Sequence, residues 1–127
     1  MKTTTKHFKL FKKHILHYAK VYGLNDWRIE IDHTKNNDNI PTSIINRERA
    51  GFEADLETML VVFRQDTEWD ITPTEEELKN HAYHEIVELV LERLVYYAEK
   101  RACGSSERRD IEEATHQIVR RFKNAHL

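Results

Sequence analysis

The longest helical pattern in the 127-residue sequence runs from Thr72 to Ala98. Its apolar side chains recur every three or four residues, and they cover a wide arc of the helical circumference. They are Tyr83, Ile86, Val87, Val90, Leu91, Leu94, Tyr97 and Ala98. Thr72 can cap this helix, and Pro73 suits its first position. Because so wide an arc needs cover from two sides, we expect this helix to be the most buried element.

The rest of the chain predicts two further helices and a small sheet. The apolar residues of 6–22 have helical spacing, and Gly23 can end that helix in the left-handed conformation. Strands are predicted at 27–32, 50–56 and 58–63 from alternating or continuously apolar runs. After Gly104, either Ser105 or Ser106 can cap a last helix. Its inward stripe is Ile111, Thr115, Ile118 and Phe122.

This order of elements predicts an α+β fold in one domain, residues 1–127. It consists of an N-terminal helix, a sheet of about three strands, a long central helix and a C-terminal helix. Since the strands are close in sequence, we expect antiparallel pairing, with a hairpin near Ile44 and Ile45. Trp27 follows the first helix so closely that its strand is expected to pack beside that helix.

The composition excludes several classes of protein. No apolar run approaches the eighteen or so residues that a membrane span needs, and no secretory signal pattern is present. The single cysteine, Cys103, excludes an internal disulfide and favours a reducing, cytoplasmic compartment. Residues 1–25 carry six lysines and no acidic residue, in a chain of net charge −2. These lysines favour docking within the molecule or solubility over nucleic-acid binding, because no arginine cluster or interleaved aromatic residues accompany them. A nucleic-acid adaptor is the third and weakest alternative.

A polar stripe on the central helix carries the candidate chemistry. His81, His84, Glu85 and Glu88 are spaced i, i+3, i+4 and i+7, and they fall in one sector roughly 100° wide. Two ligands four residues apart, such as His84 and Glu88 with Glu85 between them, lie one above the other and can share a divalent metal ion. The glutamate between them can instead take a proton from a water that the metal activates. The alternative interpretation is a solvated helix face without any ligand.

A further ligand has to come from another element, and the last helix offers acidic residues and a histidine. Glu112 and His116 form an i, i+4 pair that borders the apolar stripe, whereas Glu113 points away from it. His81, one turn before His84, is another candidate ligand, or it can hold a ligand by a hydrogen bond. For each of these residues, a solvated position is the competing interpretation.

The order of these motifs resembles a known family. A lysine-rich helix leads to Gly-Leu-Asn-Asp-Trp-Arg-Ile, then to a sheet and to Leu-Lys-Asn-His-Ala-Tyr-His-Glu, and a helix with Ile-Val-Arg-Arg-Phe follows. This is similar to the small, mostly phage-encoded metallopeptidases of the minimal zincin type, over roughly residues 8–124. Their HExxH motif corresponds here to His84-Glu85-Ile86-Val87-Glu88, with glutamate in place of the second histidine.

The resemblance implies a metal-dependent peptidase. His84 is then the first zinc ligand, Glu85 the general base and Glu88 the second ligand, while His116, Glu112 or His81 completes the site. An edge strand, 50–56 or 58–63, would hold a peptide or protein substrate. Its location would be the cytoplasm, that of the host if the chain is phage-encoded. The alternative is a catalytically inactive, zincin-like binding or regulatory protein in which Glu88 marks a decayed metal site.

Overall fold

The computed structural model describes residues 1–35, 49–101 and 104–126, and their side chains as far as Asn124. Three helices and three strands follow one another as α1 Thr5–Val21, β1 Arg28–His33, β2 Ala50–Asp55, β3 Leu60–Gln65, α2 Glu75–Arg101 and α3 Ser105–His126. The predicted α+β class and the order of elements are confirmed. The hairpin predicted near Ile44 and Ile45 lies outside the described residues, and so does Cys103.

Helix α1 has well-defined ends. Thr4 caps it by accepting a hydrogen bond from the backbone of His7, whose ring in turn accepts one from the backbone of Thr4. At the other end Gly23 has φ +68°, and the backbone amide of Leu24 bonds the carbonyl of Ala19 at 2.9 Å. This is a Schellman ending, which turns the chain sharply from α1 into the sheet.

The sheet is mixed, with the strand order β1-β3-β2. β2 and β3 pair antiparallel around a turn in which the Asp55 carboxylate accepts hydrogen bonds from the amides of Glu57 and Thr58. β1 pairs in parallel with β3. The expectation of an entirely antiparallel sheet is therefore wrong. It assumed that strands near in sequence are neighbours, but β1 adds to the far side of a hairpin that β2 and β3 form together.

Helices α1 and α2 cover the sheet and enclose the core. Phe11 and Ile15 of α1, Phe63 of β3 and Ile86 of α2 are all fully buried. Trp27 packs against this cluster, and Phe8 stacks on His33 of β1 with a centroid distance of 5.2 Å. The first strand therefore lies beside α1, as predicted. No helix in the described part of the chain combines the length and the apolar character needed to cross a membrane.

Helix α2 differs from the prediction at both ends. Thr74, not Thr72, caps it, since the Thr74 hydroxyl accepts from the amide of Glu77 at 3.2 Å. Its first half is buried, with Val87 only 3% exposed, but Val90 and Leu94 are 45% and 68% exposed. The expectation that the whole helix is the most buried element is thus wrong for its second half, because α1 and the sheet end before reaching it.

Candidate metal-binding cleft

A cleft of about 690 Å³ lies between β2 and α2, with α3 at its side. One wall is the run from Arg49 to Ala54, at the edge of the sheet, and Asp70 closes part of the rim. The other walls carry His81, His84, Glu85, Glu88 and Glu92 of α2 and His116 of α3. The polar stripe predicted on the central helix therefore faces this cleft. It is not a fully solvated surface.

Three of the five candidate ligands meet at one point. Nε2 of His84 donates to Oε1 of Glu88 at 2.9 Å, and Nδ1 of His116 lies 3.5 Å from the same oxygen. The two imidazole rings stack with a centroid distance of 6.0 Å. One ligand atom from each residue lies within 4.8 Å of the others, so His84, Glu88 and His116 form a group that can hold a metal ion.

The packing of α3 on α2 brings His116 to this point. Val119 is fully buried against Tyr83 and Val87, and the Tyr83 hydroxyl donates to the carbonyl of Phe122 at 3.2 Å. His116 precedes Val119 by three residues, so it projects about 60° away from the packed side of α3. That direction is toward the cleft.

Glu85 lies beside the metal-binding group. Glu85 follows His84 in sequence, and its side chain points about 100° further round α2. It is 6% exposed and it lines the cleft. The small accessible part of this residue therefore opens into the cleft, next to the three possible ligands.

His81 belongs to a different network at the end of the cleft near the start of α2. The guanidinium of Arg49 bonds both carboxylate oxygens of Asp70, at 2.6 and 3.0 Å, and its Nη1 lies 3.4 Å from Nε2 of His81. Because arginine can only donate, His81 accepts this bond in its neutral form. Burial, with the nearby Arg49 charge second, lowers the pKa of His81 to about 4. The ring also meets Trp69 edge to face.

Two further acidic residues near the cleft and on α3 do not belong to the group. Glu112 is exposed on α3 and is not one of the three grouped residues. Glu92 lines the cleft one turn beyond Glu88, and its pKa is raised by burial and by the charges of Glu99 and Glu88. The cleft thus carries several carboxylates beside the histidines.

Arg49 and Asp70 are site residues that the sequence did not reveal. The two residues are 21 positions apart, and they meet because one precedes β2 and the other precedes α2. The Arg49 hydrogen bond holds the pKa of Asp70 below its usual value. Residues so far apart in the sequence share no helical or strand periodicity, so their contact could be identified only from the tertiary structure.

No protein-family model matches this chain, and neither a curated protein nor a solved structure matches it.

Proposed function

We propose that this protein is a metal-dependent hydrolase of peptides, with His84, Glu88 and His116 as the metal ligands and Glu85 as the general base. The observation that carries the proposal is the convergence of the three ligand atoms within 4.8 Å on the wall of a cleft. Two imidazoles and one carboxylate are a donor set that catalytic zinc sites use. Zinc is therefore the cation that we assign to this group.

The distances suit a tetrahedral ion after small side-chain rotations. Ligand atoms that are each about 2.1 Å from such an ion lie about 3.4 Å apart. The contact between His116 and Glu88 is 3.5 Å, while the bond between His84 and Glu88 is 2.9 Å and must lengthen. A cation bound there would act as a Lewis acid. His84 would have to carry its ring proton on Nδ1 so that Nε2 could bind the metal. Acid protonates the ligand imidazoles and carboxylate, so binding is expected to weaken at acid pH.

Glu85 suits the role of base because of its burial and its position. Glu85 lines the cleft and does not belong to the three grouped residues, so we do not assign it as a ligand. A carboxylate of this kind can take a proton from water as the water attacks a peptide carbonyl, and can then pass it to the leaving amine. We assign both proton transfers to Glu85.

The substrate is proposed to be an extended peptide that lies along β2. This strand is at the edge of the described sheet, and its residues form the wall opposite α2. An edge strand offers unpaired backbone groups to which a peptide can add as a further strand. Since β3 is the central strand, β2 is the better candidate of the two strands that the sequence left open.

One observation favours a second function, that of a metal-free binding protein. Glu88 already bonds His84 and lies 3.5 Å from His116, so its carboxylate has polar partners within the group itself. A site that once held a metal could persist in this closed form. The cleft and the edge strand would then bind a peptide without cleaving it.

Zinc titration followed by peptidase assays on a peptide library separates the two functions. The proposal expects one zinc per chain in the wild type, loss of binding in His116→Ala and normal binding in His17→Ala, a control on the exposed side of α1. Glu85→Gln should keep zinc and lose hydrolysis. Zinc binding without hydrolysis refutes the enzyme but not the metal site. Absence of zinc binding in the wild type refutes both and favours the metal-free binding protein.

A further inference from the structure

The second half of α2 carries an apolar stripe that is largely exposed in the described part of the chain. Near Tyr83 the stripe is covered by Tyr18 and Tyr22 of α1. Helix α1 ends at Val21, whereas α2 continues to Arg101. Beyond that point the stripe goes on at the same helical spacing. Its members Val90, Leu94 and Tyr97 are 45%, 68% and 54% exposed.

Helix α3 extends this apolar surface. Ile118 and Phe122 are 39% and 46% exposed, and they lie on the side of the buried Val119 that is opposite to His116. On α2, Val90 and Tyr97 lie about 120° or more from both His84 and Glu88. Leu94 lies about 120° from Glu88 and about 80° from His84. The exposed apolar residues of the two helices therefore lie on the side of the helix pair that faces away from the cleft. We call the surface made by Val90, Leu94, Tyr97, Ile118 and Phe122 the hairpin face.

We propose that the hairpin face is the contact through which two copies of this chain form a dimer. With an aromatic side chain of roughly 200 Å², the exposed fractions correspond to about 450 Å² of mainly apolar surface. With a polar rim, such a surface can reach the roughly 800 Å² per partner of a standard stable interface. About 450 Å² is the apolar share, roughly 56–58%, that an interface of this size contains.

The shape of the face also suits a second copy. Two antiparallel helices with an apolar stripe between them bury it by packing on another helical pair, which yields a four-helix bundle with crossing angles near 20°. A two-fold axis parallel to the hairpin relates this helix pair to the pair of a second copy, and it places α2 of one copy against α3 of the other. No additional sequence is required.

The charges around the face agree with self-association. Lys100 borders the face on α2, and Glu107 borders it on α3 at the same end of the hairpin. When α2 of one copy faces α3 of the other, this lysine and this glutamate of opposite copies approach each other twice. A border of a single sign would instead have indicated a partner of opposite charge. The proposal does not depend on the metal site, which lies on the other side of α2.

Sedimentation equilibrium of the full chain tests the proposal directly. The wild type should sediment at twice its 15.2 kDa at micromolar concentration. Leu94→Glu should weaken dimerisation by at least about 30-fold, because it places a charge at the centre of the buried surface. Since Leu94 is 68% exposed in the single chain, this variant should keep its far-ultraviolet circular dichroism and its thermal midpoint at low concentration.

Leu16→Glu is the matched control, because Leu16 is 47% exposed on α1 and lies outside the hairpin face. It should dimerise as the wild type does. Phe122→Glu, on the other helix of the face, should weaken the dimer as Leu94→Glu does. The proposal is overturned if the wild type stays at 15.2 kDa up to about 100 µM, or if a dimer forms that neither variant of the face weakens.

Discussion

Replacement of His81 tests whether the half-buried imidazole at the end of the cleft is neutral in the folded chain. The ring accepts a hydrogen bond from Nη1 of Arg49 and packs against Trp69, and its side chain is 25% exposed. Protonation would put a second positive charge next to Arg49 in a poorly hydrated place. Burial first, and Arg49 second, therefore lower the pKa of His81 from 6.5 in the unfolded chain to about 4 in the folded chain.

The sign of the effect follows from proton binding. A group with a lower pKa in the folded chain binds fewer protons there, so acid favours the unfolded chain. The stability contributed by neutral His81 is complete above pH 6.5 and is lost as the pH falls toward 4. For this shift, linkage gives a loss of about 2 kcal/mol in the free energy of unfolding between pH 7.5 and pH 5.

Urea unfolding measured at several pH values between 7.5 and 5 provides the assay, with a chelator present so that metal binding does not contribute. The wild type should lose about 2 kcal/mol more than His81→Gln over this range, because glutamine does not titrate. His17→Gln should keep the slope of the wild type, since His17 is exposed on α1. Parallel pH profiles for the wild type and His81→Gln would refute the assignment of a depressed pKa to His81.

Three stability predictions, each measured by chemical unfolding at neutral pH, concern the core and the helix ends. Leu78→Ala should cost about 2–5 kcal/mol, because Leu78 is fully buried, whereas Leu16→Ala on the exposed side of α1 should cost below about 0.5 kcal/mol. Gly23→Ala should cost about 1–2 kcal/mol, since φ is +68° there, and an unchanged midpoint would contradict the Schellman ending. Tyr83→Phe should cost about 1 kcal/mol, because it removes the hydroxyl that bonds Tyr22 and the carbonyl of Phe122, and a neutral result would show that water replaces these bonds.

Local patterns predicted the secondary structure well and its assembly less well. Helical spacing located α1 to within one residue at each end, and the positive φ of Gly23 was expected from glycine alone. Periodicity also predicted which side of α2 is apolar. It could not show that α1 and the sheet end before Val90 and Leu94, because the extent of cover depends on the lengths and positions of other elements. For the same reason spacing did not reveal that β1 pairs in parallel with β3.

In the candidate site, too, some contacts follow from the sequence and others depend on the tertiary structure. His84 and Glu88 are one helical turn apart, so their proximity follows from the sequence. The choice between Glu112 and His116 required the rotation of α3 about its axis, which the burial of Val119 determines. His81 has the spacing of a ligand, yet it contacts Arg49 and Trp69. Long-range partners of this kind set its role, and no pattern along one helix contains them.

The strand order has a consequence for the way the chain folds. β2 and β3 are joined by a short turn, and Asp55 pairs with Leu60, so the hairpin closes only a small loop. The pairing of β1 with β3 closes a much longer loop, because Arg28 pairs with Leu60. The loss of chain entropy on closure rises with loop length, and long-range pairing slows folding. We therefore expect the β2–β3 hairpin to form before β1 docks, so that substitutions in the Asp55 turn slow folding while substitutions in β1 mainly speed unfolding.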